Sequence, residues 1–295
     1  MLLLDKPVGI SSNHALQAVK RLYRAEKAGH AGTLDPLASG LLPVLLGEAT
    51  RFSGYLLDAA KRYVADIQLG VTTTTADAEG EILERKAVSV GRAEIDALMA
   101  RFLGTQTQVP PMYSALKRDG TPLYVLARRG ETIERESRTI QIHNLDLLSL
   151  EKDRLVVAVA CSKGTYIRTL AEDIGAALGC GAHLAGLRRT ATGAFELAQA
   201  TTLDTLASQA ENERDALLKP VDEILGQFPR IDLDDAAQAR FCHGQAIAQV
   251  RIPPGVCRIY GPSGRFLGLA EEREQGWLAP KRLLGEPRAG DSPTG

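Results

Sequence analysis

No apolar run in this sequence approaches the roughly 18 residues of a membrane-spanning helix, so a helical membrane protein is not expected. The first residues, MLLLDKP from Met1 to Pro7, hold too short an apolar stretch and no basic lead-in for a cleaved secretory leader. They suit a first strand ended by a Lys-Pro turn. Four cysteines, Cys161, Cys180, Cys242 and Cys257, form no C-x-x-C pair, which indicates neither a zinc ribbon nor a disulfide framework. Free thiols without a leader fit a reducing cytoplasm. Cys180 and His183 have a ligand-like spacing, but two donors do not make a structural zinc site, and no metal is expected. Net charge is also nearly missing: it is −1, which taken alone argues against a nucleic-acid partner.

The distribution of charge argues otherwise. Residues 1–62 carry eight Lys/Arg against five Asp/Glu, and 154–190 carry five against two. Residues 196–235 carry three against ten, so one acidic stretch masks a basic remainder. The hydrophobic fraction of 44% and charged fraction of 24% are ordinary for a globular chain. A length of 295 residues fits one large domain, or a large one with a small one.

Leu16, Val19, Leu22 and Tyr23 recur at helical spacing behind Ser11, Ser12 and Asn13, which can cap. Tyr63 to Leu69 alternates like a strand, and Ile95, Leu98, Met99 and Phe102 mark an amphipathic helix. Arg154 to Cys161 (RLVVAVAC) is a buried strand by its β-branched content. Ile167, Leu170, Ile174 and Leu178 run at helical spacing to a Gly179 stop. Gly29 to Gly47, punctuated by Pro36, Gly40 and Pro43, is expected to be loop-rich rather than one regular element. Residues 201–225 have an acidic helical character. After Phe228-Pro229, short apolar runs alternate with turn residues, the pattern of a small β-barrel. The expected division is therefore 1–228, 229–285 and a disordered tail, 286–295.

The stretch GHAGTLDPLASGLLPV (29–44) sets one carboxylate and one imidazole in a Gly-rich segment with apolar neighbours. Locally, Asp35 before Pro36 has the commoner meaning of a turn cap. Its wider setting is more informative. Together with LLLDKPVGISSNHAL (2–16), KRYVADIQLG (61–70), PPMYSALKRDGTPLY (110–124), CSKGTYIRTLAEDIG (161–175) and CGAHLAGLRRT (180–190), it resembles the TruB-type pseudouridine synthases, the tRNA pseudouridine-55 synthases. The similarity is strong over about 2–190 and weak beyond. The chain begins almost at the first motif, which makes the packing of its first strand a point to examine.

The resemblance implies an α+β fold: a catalytic domain around a mixed, mostly antiparallel sheet, followed by a PUA-like RNA-binding barrel over 229–285. It implies isomerisation of a T-loop uridine, a reaction with no redox change and hence no cofactor. Asp35 is the implied catalytic carboxylate, acting at C1′, at C6 or by expelling the base to a glycal. Arg168 is the implied charge partner that keeps it ionised. Tyr63 and Tyr166 are the pocket tyrosines, Tyr63 stacking on the uracil and acting at C5, and Leu187 is the apolar contact to the base. His30 fills space beside the flipped nucleotide. Lys6, Lys20, Arg21, Lys61, Arg62, Lys117, Arg118, Arg128, Arg129, Arg188 and Arg189 are candidate phosphate contacts. The implied partner is the T-arm of tRNA, with no guide RNA, no membrane, a monomeric state and a cytoplasmic location. A nucleotide-phosphate enzyme fails, because Lys163-Gly164-Thr165 lacks the G-x-x-x-x-G-K-[ST] order. A tRNA-folding chaperone role is compatible alongside catalysis.

Overall fold

The computed structural model describes residues 1–248, 255–274 and 276–285; the tail expected at 286–295 lies outside them. Packing divides the chain into two compact units, Met1–Leu218 and Lys219–Gly295. The division falls upstream of the change in sequence character at 228. The reason is local: the Tyr260 phenol donates to Asp222 at 2.6 Å and Arg258 Nε to the Phe228 carbonyl at 2.9 Å, drawing 219–228 onto the second unit.

The first unit is built on a ten-stranded sheet. Its main path runs Thr201–Thr202, Leu2–Lys6, Ala38–Leu46, Ala182–Thr192, Lys61–Leu69, Arg154–Cys161, Arg138–Glu151 and Gly104–Gln108. Two neighbouring pairs are parallel, Leu2–Lys6 with Thr201–Thr202 and Ala38–Leu46 with Ala182–Thr192, and the rest are antiparallel, as expected. The first strand is fully integrated: Leu2, Leu3 and Leu4 are buried and pair with Val44, Pro43 and Leu42.

Periodicity explains the helices. In Ser12–Leu22, Ala15, Leu16 and Val19 face the core, and the Ser11 hydroxyl caps the helix by accepting from the His14 N–H. In Ile167–Ala177, Ile167, Leu170, Ala171 and Ile174 form the buried stripe, and Gly179 at φ +76° follows the C-terminus. Gly175 lets this helix touch the sheet, since a Cβ there would lie 2.2 Å from the Ala182 nitrogen. The helix Arg92–Phe102 packs with it on one core that includes Ile67, Leu155, Val157, Ile140 and Leu184.

The Gly29–Gly47 segment departs from expectation. It contains two regular elements, strands Ala28–His30 and Ala38–Leu46, rather than a loop. Gly40 and Pro43, which punctuate the sequence, are absorbed by register. Gly40 (φ +101°) sits where a Cβ would meet the Arg189 carbonyl oxygen at 2.3 Å, so the strands can cross closely there only without a side chain. The Pro43 carbonyl accepts from the Ala31 N–H just past the end of Ala28–His30. Pro43 lies one position past the last paired residues of that strand's ladder, His30 with Val44, so its missing N–H interrupts no bond within the strand pair.

The acidic 201–225 stretch forms short pieces: helices Leu203–Ser208 and Glu211–Asp215 and a 3₁₀ turn Val221–Leu225. The second unit contains a five-stranded sheet ordered Arg230–Asp232, Val256–Tyr260, Phe266–Glu274, Trp277–Leu283, Ile247–Ala248, bent by register shifts into a half-barrel of the PUA-like kind. Ile231, Phe241, Cys257, Ile259 and Leu278 fill its core.

Candidate active site

Asp35 lies on the turn between Ala28–His30 and Ala38–Leu46, and three separate elements hold that turn. The Ser12 hydroxyl at the start of the first helix accepts from the Leu34 N–H at 2.7 Å and donates to the Leu34 carbonyl at 2.9 Å. The Gly9 N–H donates to the Pro36 carbonyl at 2.8 Å. From the Ala182–Thr192 strand, Arg189 donates through Nε to the Leu41 carbonyl at 2.7 Å and through Nη2 to the Gly32 carbonyl at 2.9 Å. The DKPVGISSN and LRR motifs, distant in sequence, thus fix the backbone around one carboxylate.

Beside this turn is a cavity of about 330 Å³. Asp35, Tyr63, Tyr166, Arg168 and Leu187 all line it, so the structure brings five of the six expected site residues together. Gly32, Thr33, Leu57, Lys61, Ser114, Leu116 and Arg189 complete much of the wall. His30 is not on that wall. It sits one strand pair away, opposite Val44, with a buried Nδ1 that lacks a hydrogen-bond partner. Burial, with the Arg189 charge second, holds its imidazole below the usual histidine range, which favours the neutral ring.

The Arg168 guanidinium is the electrostatic centre of the site. Its side chain is 5% exposed while that of Asp35 is 41% exposed, so the cation is embedded and the carboxylate opens onto the cavity. Arg168 Nε lies 3.1 Å from Asp35 Oδ2, and Nη1 lies 3.6 Å from Asp77 Oδ2. Nη1 and Nη2 also donate to the Thr75 and Tyr113 carbonyls. A buried cation without such partners would be strongly unfavourable. Asp77 is in turn fixed by the Thr75 hydroxyl and the Glu79 N–H.

Burial pushes the Asp35 carboxyl above the ordinary carboxylate range; Asp77 adds to this, while Arg168 and Lys6 pull it back. The Tyr63 phenol is likewise pushed up by burial and pulled down by the adjacent Arg189 guanidinium. Tyr63 therefore keeps its phenolic proton near neutral pH and can donate it in a hydrogen bond. Leu187 is in register with Ala65 on one side and Ala38 on the other, which sets it between the tyrosine strand and the aspartate turn. The Arg138 guanidinium sits 5.3 Å from the centre of the Tyr166 ring.

Three of the expected phosphate contacts take a different place. Lys6, Lys61 and Arg189 are buried. Lys6 Nζ donates to the Pro7 and Ile10 carbonyls, and Lys61 Nζ to those of Leu56, Leu57 and Ala59. Burial brings each lysine down to about 8. All three are turned inward and held by backbone carbonyls, so they shape the site and are not surface cations. Arg188 and Arg62 are surface cations already paired, with Asp5 and Glu196. Lys117, Arg118, Arg128 and Arg129 are exposed.

Asp77 and Gln108 escaped the sequence reading altogether. Asp77 stands in TTTTADAEG, whose threonines and glycine look like an ordinary turn. Gln108 ends a short edge strand. Only the fold carries them to Arg168 and Tyr166.

Comparison with known proteins agrees with the geometry. Residues 20–167 match the family described as TruB family pseudouridylate synthase (N terminal domain). Residues 168–226 match the tRNA pseudouridylate synthase B C-terminal domain, and 229–284 match Pseudouridine synthase II TruB, C-terminal. The chain is 55% identical over 289 residues to tRNA pseudouridine synthase B of Stutzerimonas stutzeri, covering 96% of this chain and 95% of that protein. It is 56% identical over 291 residues to the protein of that name from Burkholderia mallei, covering 96% of each. A solved Cbf5-Nop10-Gar1 complex contains a chain with TM-score 0.72 and 28% identity, over 96% of this chain and 84% of that one. An H/ACA ribonucleoprotein bound to a substrate RNA containing 2'-deoxyuridine matches with TM-score 0.71 and 27% identity, over 98% and 85%. By its sequence, its sheet and the site that sheet carries, the chain belongs to the TruB family of pseudouridine synthases.

Proposed function

We propose that this protein isomerises uridine to pseudouridine at position 55 in the T-loop of tRNA, with Asp35 as the catalytic carboxylate. The N1–C1′ bond breaks, the uracil turns, and a C5–C1′ bond forms. The C5 proton leaves and N1 regains one, so atoms and electrons balance without a cofactor. Attack at C1′, addition at C6 and expulsion to a glycal all require an ionised Asp35, and the observation that carries the reading is the buried Arg168 set 3.1 Å from it. Tyr63 and Leu187 sandwich the flipped base, the Tyr63 phenol acts at C5 as a relay that passes on its own proton as it takes the C5 proton, and Tyr166 closes the far side. His30, behind the wall, supports the nucleotides beside it. Extruding the base costs a few kcal/mol, recovered through stacking and backbone contacts.

The catalytic work belongs to residues 1–228, and the PUA-like module of 229–285 adds a second RNA contact. The chain acts in the cytoplasm as a monomer, without guide RNA; among the described residues no helix is long and apolar enough to cross a membrane. The test is tritium release from C5-labelled uridine at position 55 of a T-arm hairpin, with protein and RNA alone. Stoichiometric release is expected from that position and none from labelled uridines elsewhere. No release would contradict the proposal.

A further inference from the structure

Gln108 is buried at the end of the Gly104–Gln108 edge strand, away from the reacting groups. Its carboxamide makes two hydrogen bonds to one residue. Oε1 accepts from the Tyr166 N–H at 2.8 Å, and Nε2 donates to the Tyr166 carbonyl at 3.0 Å. Tyr166 is the N-cap of Ile167–Ala177, with no side-chain cap of its own. An N-cap N–H has no partner in its helix, so Gln108 supplies from another strand what a local side chain does not.

The helix start is touched a second time by the same segment. Five residues beyond Gln108, the Tyr113 carbonyl accepts from Arg168 Nη2 at 2.5 Å. Pro110 and Pro111 lie between the two contacts and restrict the intervening backbone. Arg138, directly across the ladder from Gln108, places its guanidinium over the Tyr166 ring. Backbone and ring of Tyr166 are thus held from one strand pair, and Arg168 follows two residues later.

We propose that Gln108 is a positioning residue for the reaction, fixing the Tyr166 backbone and through it the placement of Arg168 against Asp35. This rests on the functional reading above. An apolar side chain could fill the same volume, but it would leave the Tyr166 N–H unpaired and the helix start free to shift. The charged groups acting on Asp35 are Arg168, Asp77, Lys6 and Glu79, and of these only Arg168 follows Tyr166 in the chain.

The experiment is single-turnover tritium release from a saturating T-arm hairpin across pH, on wild type, Gln108→Met and Gln108→Asn. Displacing Arg168 by a fraction of an ångström to an ångström lowers the Gln108→Met rate by about 10- to 100-fold. The hairpin dissociation constant changes by less than about threefold, because the pocket walls remain. The acid limb of the rate profile moves up by about half a pH unit or more, since Asp35 loses part of its cationic partner. Gln108→Asn, with its amide one methylene short, shifts both readouts in the same direction by less. An unchanged rate, or a slower rate with the acid limb in place, overturns the proposal. Failure of both variants to fold assigns Gln108 to structure alone and overturns it as well. An inactive wild type in the same assay instead contradicts the functional reading, so the two failures are distinguishable.

Discussion

The two units of this protein treat charge in opposite ways. Among the described residues, every buried Lys, Arg, Asp and His side chain lies between Lys6 and Arg189, in the first unit. Lys6, Lys61, Arg168 and Arg189 all sit inside the protein there, each tied to backbone carbonyls. In the second unit the ion pairs Arg230–Asp232 and Lys281–Glu271 are largely exposed to solvent. Buried cations cost folding free energy and surface pairs contribute little. A fold retains the costly kind where it serves chemistry, and all four surround the turn that carries Asp35 or the cavity beside it.

Substitutions on the two sides of this contrast should differ by orders of magnitude. Asp35→Asn removes the carboxylate with little change in shape; turnover should fall at least about a thousandfold while hairpin affinity stays within a few-fold. A rate above a tenth of wild type would end the assignment. Tyr63→Phe keeps the ring and loses the phenol, so the single-turnover rate should drop by about 10- to 100-fold with binding intact. An unchanged rate would reduce Tyr63 to packing. Removal of the second unit after Leu218 should leave a folded, active first unit. Affinity for full-length tRNA should fall about tenfold or more and that for a T-arm hairpin hardly at all. Equal tRNA affinity and equal salt slope in both proteins would remove the RNA-binding role of 229–285. Smallest of all, Lys281→Ala should change stability by less than about 1 kcal/mol in urea denaturation. A larger loss would blur the contrast between the units.

Much of this was legible in the sequence because helical and strand periodicities are local. Ser12–Leu22, Arg154–Cys161 and Ile167–Ala177 fall where the apolar spacing places them. The Ala38–Leu46 strand was not legible, since Gly40 and Pro43 are compatible with a strand only through neighbours that sequence does not name. The site followed the same rule. Asp35, Tyr63, Tyr166, Arg168 and Leu187 came from motif resemblance and converge on one cavity. Asp77 and Gln108 act through backbone and ion-pair contacts across 91 and 58 positions, which no local pattern encodes. Lys6, Lys61 and Arg189 looked like surface cations because burial depends on the finished sheet.

The central claim is that an embedded Arg168 keeps a half-enclosed Asp35 ionised, and the pH dependence of Arg168→Lys tests it most directly. Burial places the Asp35 carboxyl above the ordinary carboxylate range, so wild-type activity should be lost as pH falls through that raised value. Lysine keeps the charge but not the fork that reaches Asp35, Asp77 and two carbonyls together. Weakening the pull that lowers the carboxyl's pKa moves it further up. The single-turnover acid limb should therefore shift to higher pH, with the deficit largest in acid and shrinking as pH rises. A variant slowed by the same factor at every pH, with its acid limb unmoved, would contradict the account.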